Sequence, residues 1–133
     1  MGYERITLDT HTLIWYVHEP SKDKLSLMAL EIIRDATKNG IIYIPTIALL
    51  EVLRLIEKRK YHISFDTLVN DIKRHKSYEI ISLTTEIVEV SKSLQSLELH
   101  GRVIVATAII TNSVLLSKDR EIRATGLNVV WSK

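Results

Sequence analysis

Arg5-Ile6-Thr7-Leu8-Asp9-Thr10-His11-Thr12-Leu13-Ile14-Trp15-Tyr16 decides how this chain folds, because it reads as a short strand running straight into a helix. Residues 5–8 favour extended structure, Asp9 ends the run, and Thr10, Thr12, Leu13, Trp15 and Tyr16 turn into helical spacing. The same event recurs downstream. Ser26 is set to cap a helix whose Leu27, Leu30, Ile33 and Ala36 keep helical spacing until Asn39-Gly40 stops it. Residues 41–44 form a second strand closed by Pro45, and Thr46 opens a helix expected to carry Ile47, Leu50, Leu53 and Ile56 on its apolar side. Ser64 and Phe65 begin another amphipathic stretch with Leu68, Val69 and Ile72, followed by a brief strand at 79–81. Thr84 or Thr85 caps a helix expected to run through Ile87, Val90, Leu94 and Leu97. Residues 103–110 are nearly all apolar and read as a buried helix ended by Asn112. Val114-Leu115-Leu116 is a buried strand, and residues 128–131 are the last strand.

Strands alternating with helices predict an α/β protein, a three-layer α/β/α sandwich around a mostly parallel sheet. A length of 133 residues without repeats or a low-complexity linker suits one domain over 1–133. Hydrophobic residues at 46% and charged residues at 26% supply both a core and a hydrated surface. No apolar run approaches the roughly 20 residues that cross a bilayer. Glu4 and Arg5 ahead of the first strand are unlike a signal peptide, so no membrane contact and a cytoplasmic location are expected. With no cysteine there is no disulfide and no thiolate ligand, and any metal must be held by oxygen or imidazole. The net charge of +2 permits nucleic-acid contact without demanding it. Lys58, Arg59, Lys60, Lys73, Arg74 and Lys76 concentrate the positive charge, either as solvated helix ends or as a phosphate-contacting face.

Open parallel sheets bind ligands beyond the carboxyl ends of their strands, where the strand order reverses. Asp9 and Asp119 both follow strands directly, so each is a candidate ligand, and each is equally a candidate helix cap. Glu51 sits among Leu49, Leu50, Val52 and Leu53, where a carboxylate must face water, a partner or a metal. If the three converge, the set suits a hard cation such as Mg²⁺ or Mn²⁺ and phosphodiester hydrolysis.

These residues resemble the PIN-domain family in its toxin form. The likeness rests on Leu8-Asp9-Thr10-His11, Glu51 within Ala48-Leu49-Leu50-Glu51-Val52, Arg102-Val103-Ile104-Val105-Ala106-Thr107-Ala108, and Leu116-Ser117-Lys118-Asp119. It spans essentially the whole chain. The resemblance implies a metal-dependent endoribonuclease of toxin–antitoxin type that acts on RNA with Mg²⁺ or Mn²⁺. It also implies a homodimer and a small antitoxin protein as partner. Asp9, Glu51 and Asp119 match the family's acidic, metal-binding positions, while Thr10 and Ser117 match supporting hydroxyls that orient a carboxylate or water. Both hydroxyls are also suited to local backbone bonds. Arg102 is expected to bond carboxylates or backbone near the site, or an RNA phosphate. Trp15, Tyr16 and Trp131 are candidates for base stacking or for core packing.

The pattern breaks at one position. The family commonly has Asp before the arginine of the buried helix, and this chain reads Leu99-His100-Gly101-Arg102. Gly101 has no ligand to offer, and Glu98 and His100 are the neighbouring candidates to serve instead. The alternative expectation is therefore a catalytically inactive PIN-like module that binds RNA or protein. A response-regulator-like domain also carries acids at strand ends, but it requires an acidic pair that Glu4 and Asp9 do not form.

Overall fold

The computed structural model describes residues 3–132. Five strands, β1 (Arg5–Leu8), β2 (Ile41–Pro45), β3 (Tyr78–Ile81), β4 (Val114–Leu116) and β5 (Val129–Val130), form one sheet in the order β3-β2-β1-β4-β5. Every pairing is parallel. Parallel neighbours need crossover connections, and helices supply them. These are α1 (Thr10–Val17), α2 (Leu27–Asn39), α3 (Thr46–Glu57), α4 (Phe65–Arg74), α5 (Thr85–Ser91), α6 (Leu99–Ile110) and α7 (Arg120–Arg123), with a 3-10 segment at Glu19–Lys24. The expected α/β/α sandwich with a parallel sheet is the fold observed.

Register assigns the two faces. Ile6 pairs with Ile42 and Val114, and Leu8 pairs with Leu116. Ile6, Leu8, Ile42, Ile44 and Leu116 then share one core with Leu13 and Ile14 of α1, Ile33 of α2, Val52 of α3 and Leu68 of α4. Thr7 and Leu115 pair with each other and turn to the opposite face. There Leu115 packs against Ile104, Val105 and Ala108 of α6 and Ile122 of α7. Thr7 is fully buried, and its hydroxyl lies 2.5 Å from that of Ser113, so the polar atom has a partner.

Three expectations differ from the structure. The α3 face is rotated: Ala48, Leu49 and Val52 are buried, whereas Leu50 is 58% exposed. That helix is apolar nearly all round, so periodicity does not select the side that meets the sheet. The next helix expected through Leu97 stops at Ser91, after which Leu94 N donates to Ser91 O and Leu97 N to Leu94 O in tight turns. Leu97 is buried and Leu94 partly buried all the same, so their spacing imitated a continuing helix. The buried helix begins at Leu99 rather than 103, because Glu98 caps it. No helix among the described residues is long and apolar enough to cross a membrane.

Leu8 is fully buried and Leu50 largely exposed, so equal truncations should differ sharply. Leu8→Ala is expected to cost about 2–5 kcal/mol in urea unfolding, and Leu50→Ala within about 0.5 kcal/mol for the monomer. A comparable loss at Leu50 would reverse the assigned helix face.

Candidate active site

Helix starts build the site. Asp9 caps α1, its Oδ1 accepting from Thr12 N at 2.9 Å. The Thr12 hydroxyl donates to Leu116 O at 3.0 Å, tying the first turn of α1 to the end of β4. The Ser117 hydroxyl accepts from Asp119 N at 3.1 Å, and Asp119 caps α7 by accepting from Glu121 N at 2.8 Å and Ile122 N at 3.2 Å. Glu98 caps α6: Oε1 accepts from Gly101 N at 2.7 Å and Oε2 from His100 N at 3.2 Å. Glu51, in the second turn of α3, receives the Thr10 hydroxyl on Oε1 at 2.5 Å. His100 Nδ1 lies 2.8 Å from its Oε2, and an ionised carboxylate there makes Nδ1 the donor.

Asp9, Glu51, Glu98 and Asp119 line a single cleft of about 140 Å³, together with Thr10, His11 and Gly101. It opens beyond the carboxyl ends of β1 and β4, the point at which strand order reverses. The cleft therefore contains all three sequence-nominated carboxylates, with Thr10 bonded to one of them and Ser117 beneath two. Arg102 is directed elsewhere, its Nε donating to Ser91 O at 3.2 Å. Trp131 is buried against Leu25 and Ala29, and Trp15 is half-buried against it with ring centroids 5.9 Å apart. Lys118 Nζ stands 5.8 Å from the Trp15 ring beside an adjoining recess lined by Asp9, His11 and Asp119. Sequence reasoning gave no cause to single out His11, and the Glu51–His100 bond joins residues 49 apart that no local pattern relates.

Burial raises the Asp9 carboxyl above its ordinary pKa. Hydrogen bonds from Ser117 and Thr12 and the nearby His11 pull the other way without cancelling the effect. A buried carboxylate left so is relieved by an approaching cation. The donors in the cleft are carboxylate oxygens, which suit a hard divalent ion. Among the described residues, no three acidic or histidine side chains are already gathered as a metal cage. The fit is therefore to an ion held by one or two carboxylates and otherwise by water and substrate oxygens, as Mg²⁺ prefers.

An open parallel sheet with an acid-lined cleft at its switch point defines a class of ligand-binding α/β proteins. Comparison with known proteins narrows it: the PIN domain pattern matches residues 6–127, and the chain belongs to the PIN domain family. VapBC2 from Rickettsia felis bound to a promoter DNA fragment superposes with a TM-score of 0.70 at 16% identity, covering 96% of this chain and 99% of that one. A toxin–antitoxin complex from Klebsiella pneumoniae gives 0.64 at 20% identity, covering 94% and 95%. DNA-bound VapBC from Salmonella typhimurium gives 0.63 at 15%, covering 95% and 96%. At these identities the likeness is one of fold. A search of curated protein sequences finds no significant match.

The raised Asp9 pKa has a signed consequence for stability. A carboxyl with a folded pKa above its unfolded value favours the native state while protonated, and that contribution is lost as pH rises through the folded pKa. In the presence of a chelator, Asp9→Asn, which keeps a cap acceptor, should be more stable than the parent at pH 7. The difference should shrink as the pH falls toward the ordinary carboxylate range. Urea midpoints measured from pH 4 to 8 check this, and a pH-independent difference would contradict it.

Proposed function

We propose that this chain is a toxin-type PIN endoribonuclease that hydrolyses RNA phosphodiesters with Mg²⁺ or Mn²⁺ and is controlled by a protein antitoxin. The observation that carries the reading is the convergence of Asp9, Glu51, Glu98 and Asp119 on one cleft at the switch point. A divalent cation held there would lower the pKa of a water molecule and neutralise charge on the phosphodiester. Asp9 and Asp119 are the proposed principal ligands, with Glu51 contributing directly or through water. Ser117, buried at the end of β4, accepts from Asp119 N and so steadies the turn that presents Asp119. Thr10 and His100 hold the Glu51 carboxylate from two sides. Lys118, exposed between Ser117 and Asp119, is suited to receive an RNA phosphate.

The solved proteins of similar fold described as toxin–antitoxin complexes support a protein partner here. A groove of about 600 Å³, lined by Leu13, Val17, Pro20, Ile63, Leu68 and Ile72 among others, offers an apolar seat for such a partner. A homodimer is the further part of the proposal. Leu50 and Leu99, each adjacent in sequence to the Glu51–His100 pair joining α3 to α6, are 58% and 64% exposed. Light scattering should give a dimer that Leu50→Glu with Leu99→Glu converts to monomer. A parent that stays monomeric at all concentrations would remove this part.

A second reading, a catalytically inactive module that binds RNA or protein, is favoured by Gly101, which leaves the family's aspartate position without a side chain. Calorimetry with Mn²⁺ and cleavage of varied single-stranded RNAs separate the two. Metal-dependent cleavage that Asp9→Asn reduces by about a hundredfold or more supports the enzyme. RNA binding with no cleavage by the parent would support the module.

A further inference from the structure

We propose that Glu98, the residue that caps α6, supplies the fourth carboxylate of the cleft in place of a side chain at position 101. The proposal rests on the metal-nuclease reading of the same cleft, and its test is arranged so that either can fail alone.

The first observation is the cap itself. The favoured capping residues that accept through a side chain are Asn, Asp, Ser and Thr, whose short side chains reach the first free amides of a helix. Glutamate is longer and reaches them only by folding back over the start of the helix. In this chain it does so, spreading its two oxygens over the amides of His100 and Gly101. Those two bonds fix a carboxylate group at a definite place on the cleft wall.

The second observation comes from Gly101. A Cβ added there would stand 3.4 Å from Glu98 Oε1, and its other nearest neighbours are Ile122 Cδ1 at 3.8 Å and Cγ1 at 3.9 Å. The Glu98 oxygen thus lies in van der Waals contact with the point from which a side chain at 101 would start. Gly101 itself lines the cleft, so this contact belongs to the site. A carboxylate oxygen that accepts one amide proton keeps another lone pair for a cation or a bridging water. Glycine at 101 therefore does not leave the cleft one charge short. The charge is delivered from three residues earlier, on the same turn of α6.

The test measures Mn²⁺ affinity by calorimetry or electron paramagnetic resonance without RNA, alongside thermal unfolding. Glu98→Gln keeps an acceptor for the cap, and Glu98→Ser replaces it with a favoured capping residue. Both should fold with melting temperatures near the parent's and bind Mn²⁺ about tenfold more weakly. Adding Gly101→Asp to Glu98→Gln should return most of that affinity, because position 101 lines the same cleft and restores the lost carboxylate beside it. The same Gly101→Asp change in the parent should gain much less. Glu98 variants that fold and bind Mn²⁺ as tightly as the parent, while Asp9→Asn loses it, would reduce Glu98 to a cap and leave the nuclease reading standing. A parent that binds no Mn²⁺ would overturn both.

Discussion

The position of β1 at the centre of the sheet is the constraint from which the site follows. β2 flanks it on one side and β4 on the other, so the chain must reverse direction across the sheet after completing β2 and β3. The helices that leave β1 and β4 pack on opposite faces, α1 with Leu13 and Ile14 in one core and α7 with Ile122 in the other. Two segments leaving neighbouring strands toward opposite faces open a crevice between them. The bond from the Thr12 hydroxyl to Leu116 O fixes its width by joining the start of α1 to the end of β4.

Capping and ligand binding compete as explanations for an acidic residue at a helix start, yet in this chain they coincide. Asp9, Glu98 and Asp119 all cap helices, and all three line the cleft. A cap uses some of a carboxylate's lone pairs and leaves others, so the amide bonds orient the group for a second partner. Such bonds also hold acids near one another at the helix ends, where backbone amides offset part of their repulsion.

Much of this was legible in the sequence, for reasons that are local. Strand and helix alternation, the stops at Asn39-Gly40 and Asn112, the Ser26 and Thr84 caps, and the post-strand aspartates are signals carried within a few residues. The parallel sheet followed from them because helical crossovers leave few other arrangements. What escaped depends on long-range packing. The apolar circumference of α3 concealed its buried side, and Leu94 and Leu97 are buried through turns instead of a helix. The Glu51–His100 bond and the turning of Arg102 to Ser91 O arise only when α3, α5 and α6 have been brought together.

The four carboxylates are held in different ways. Glu51 is held by two side-chain donors and Glu98 by two amides, and Asp119 is exposed as well as bonded to two amides. Asp9 follows the central strand and is itself buried, and the same bonds that aim it prevent it from turning to water. Its ionised form therefore keeps a desolvation cost that those bonds do not cancel, and its pKa is raised. A proton or a cation is what removes that cost, and at neutral pH the cation is the more available of the two. Asp9 is thus both fixed by its cap and relieved by a bound ion, which makes the end of β1 the natural anchor of the site.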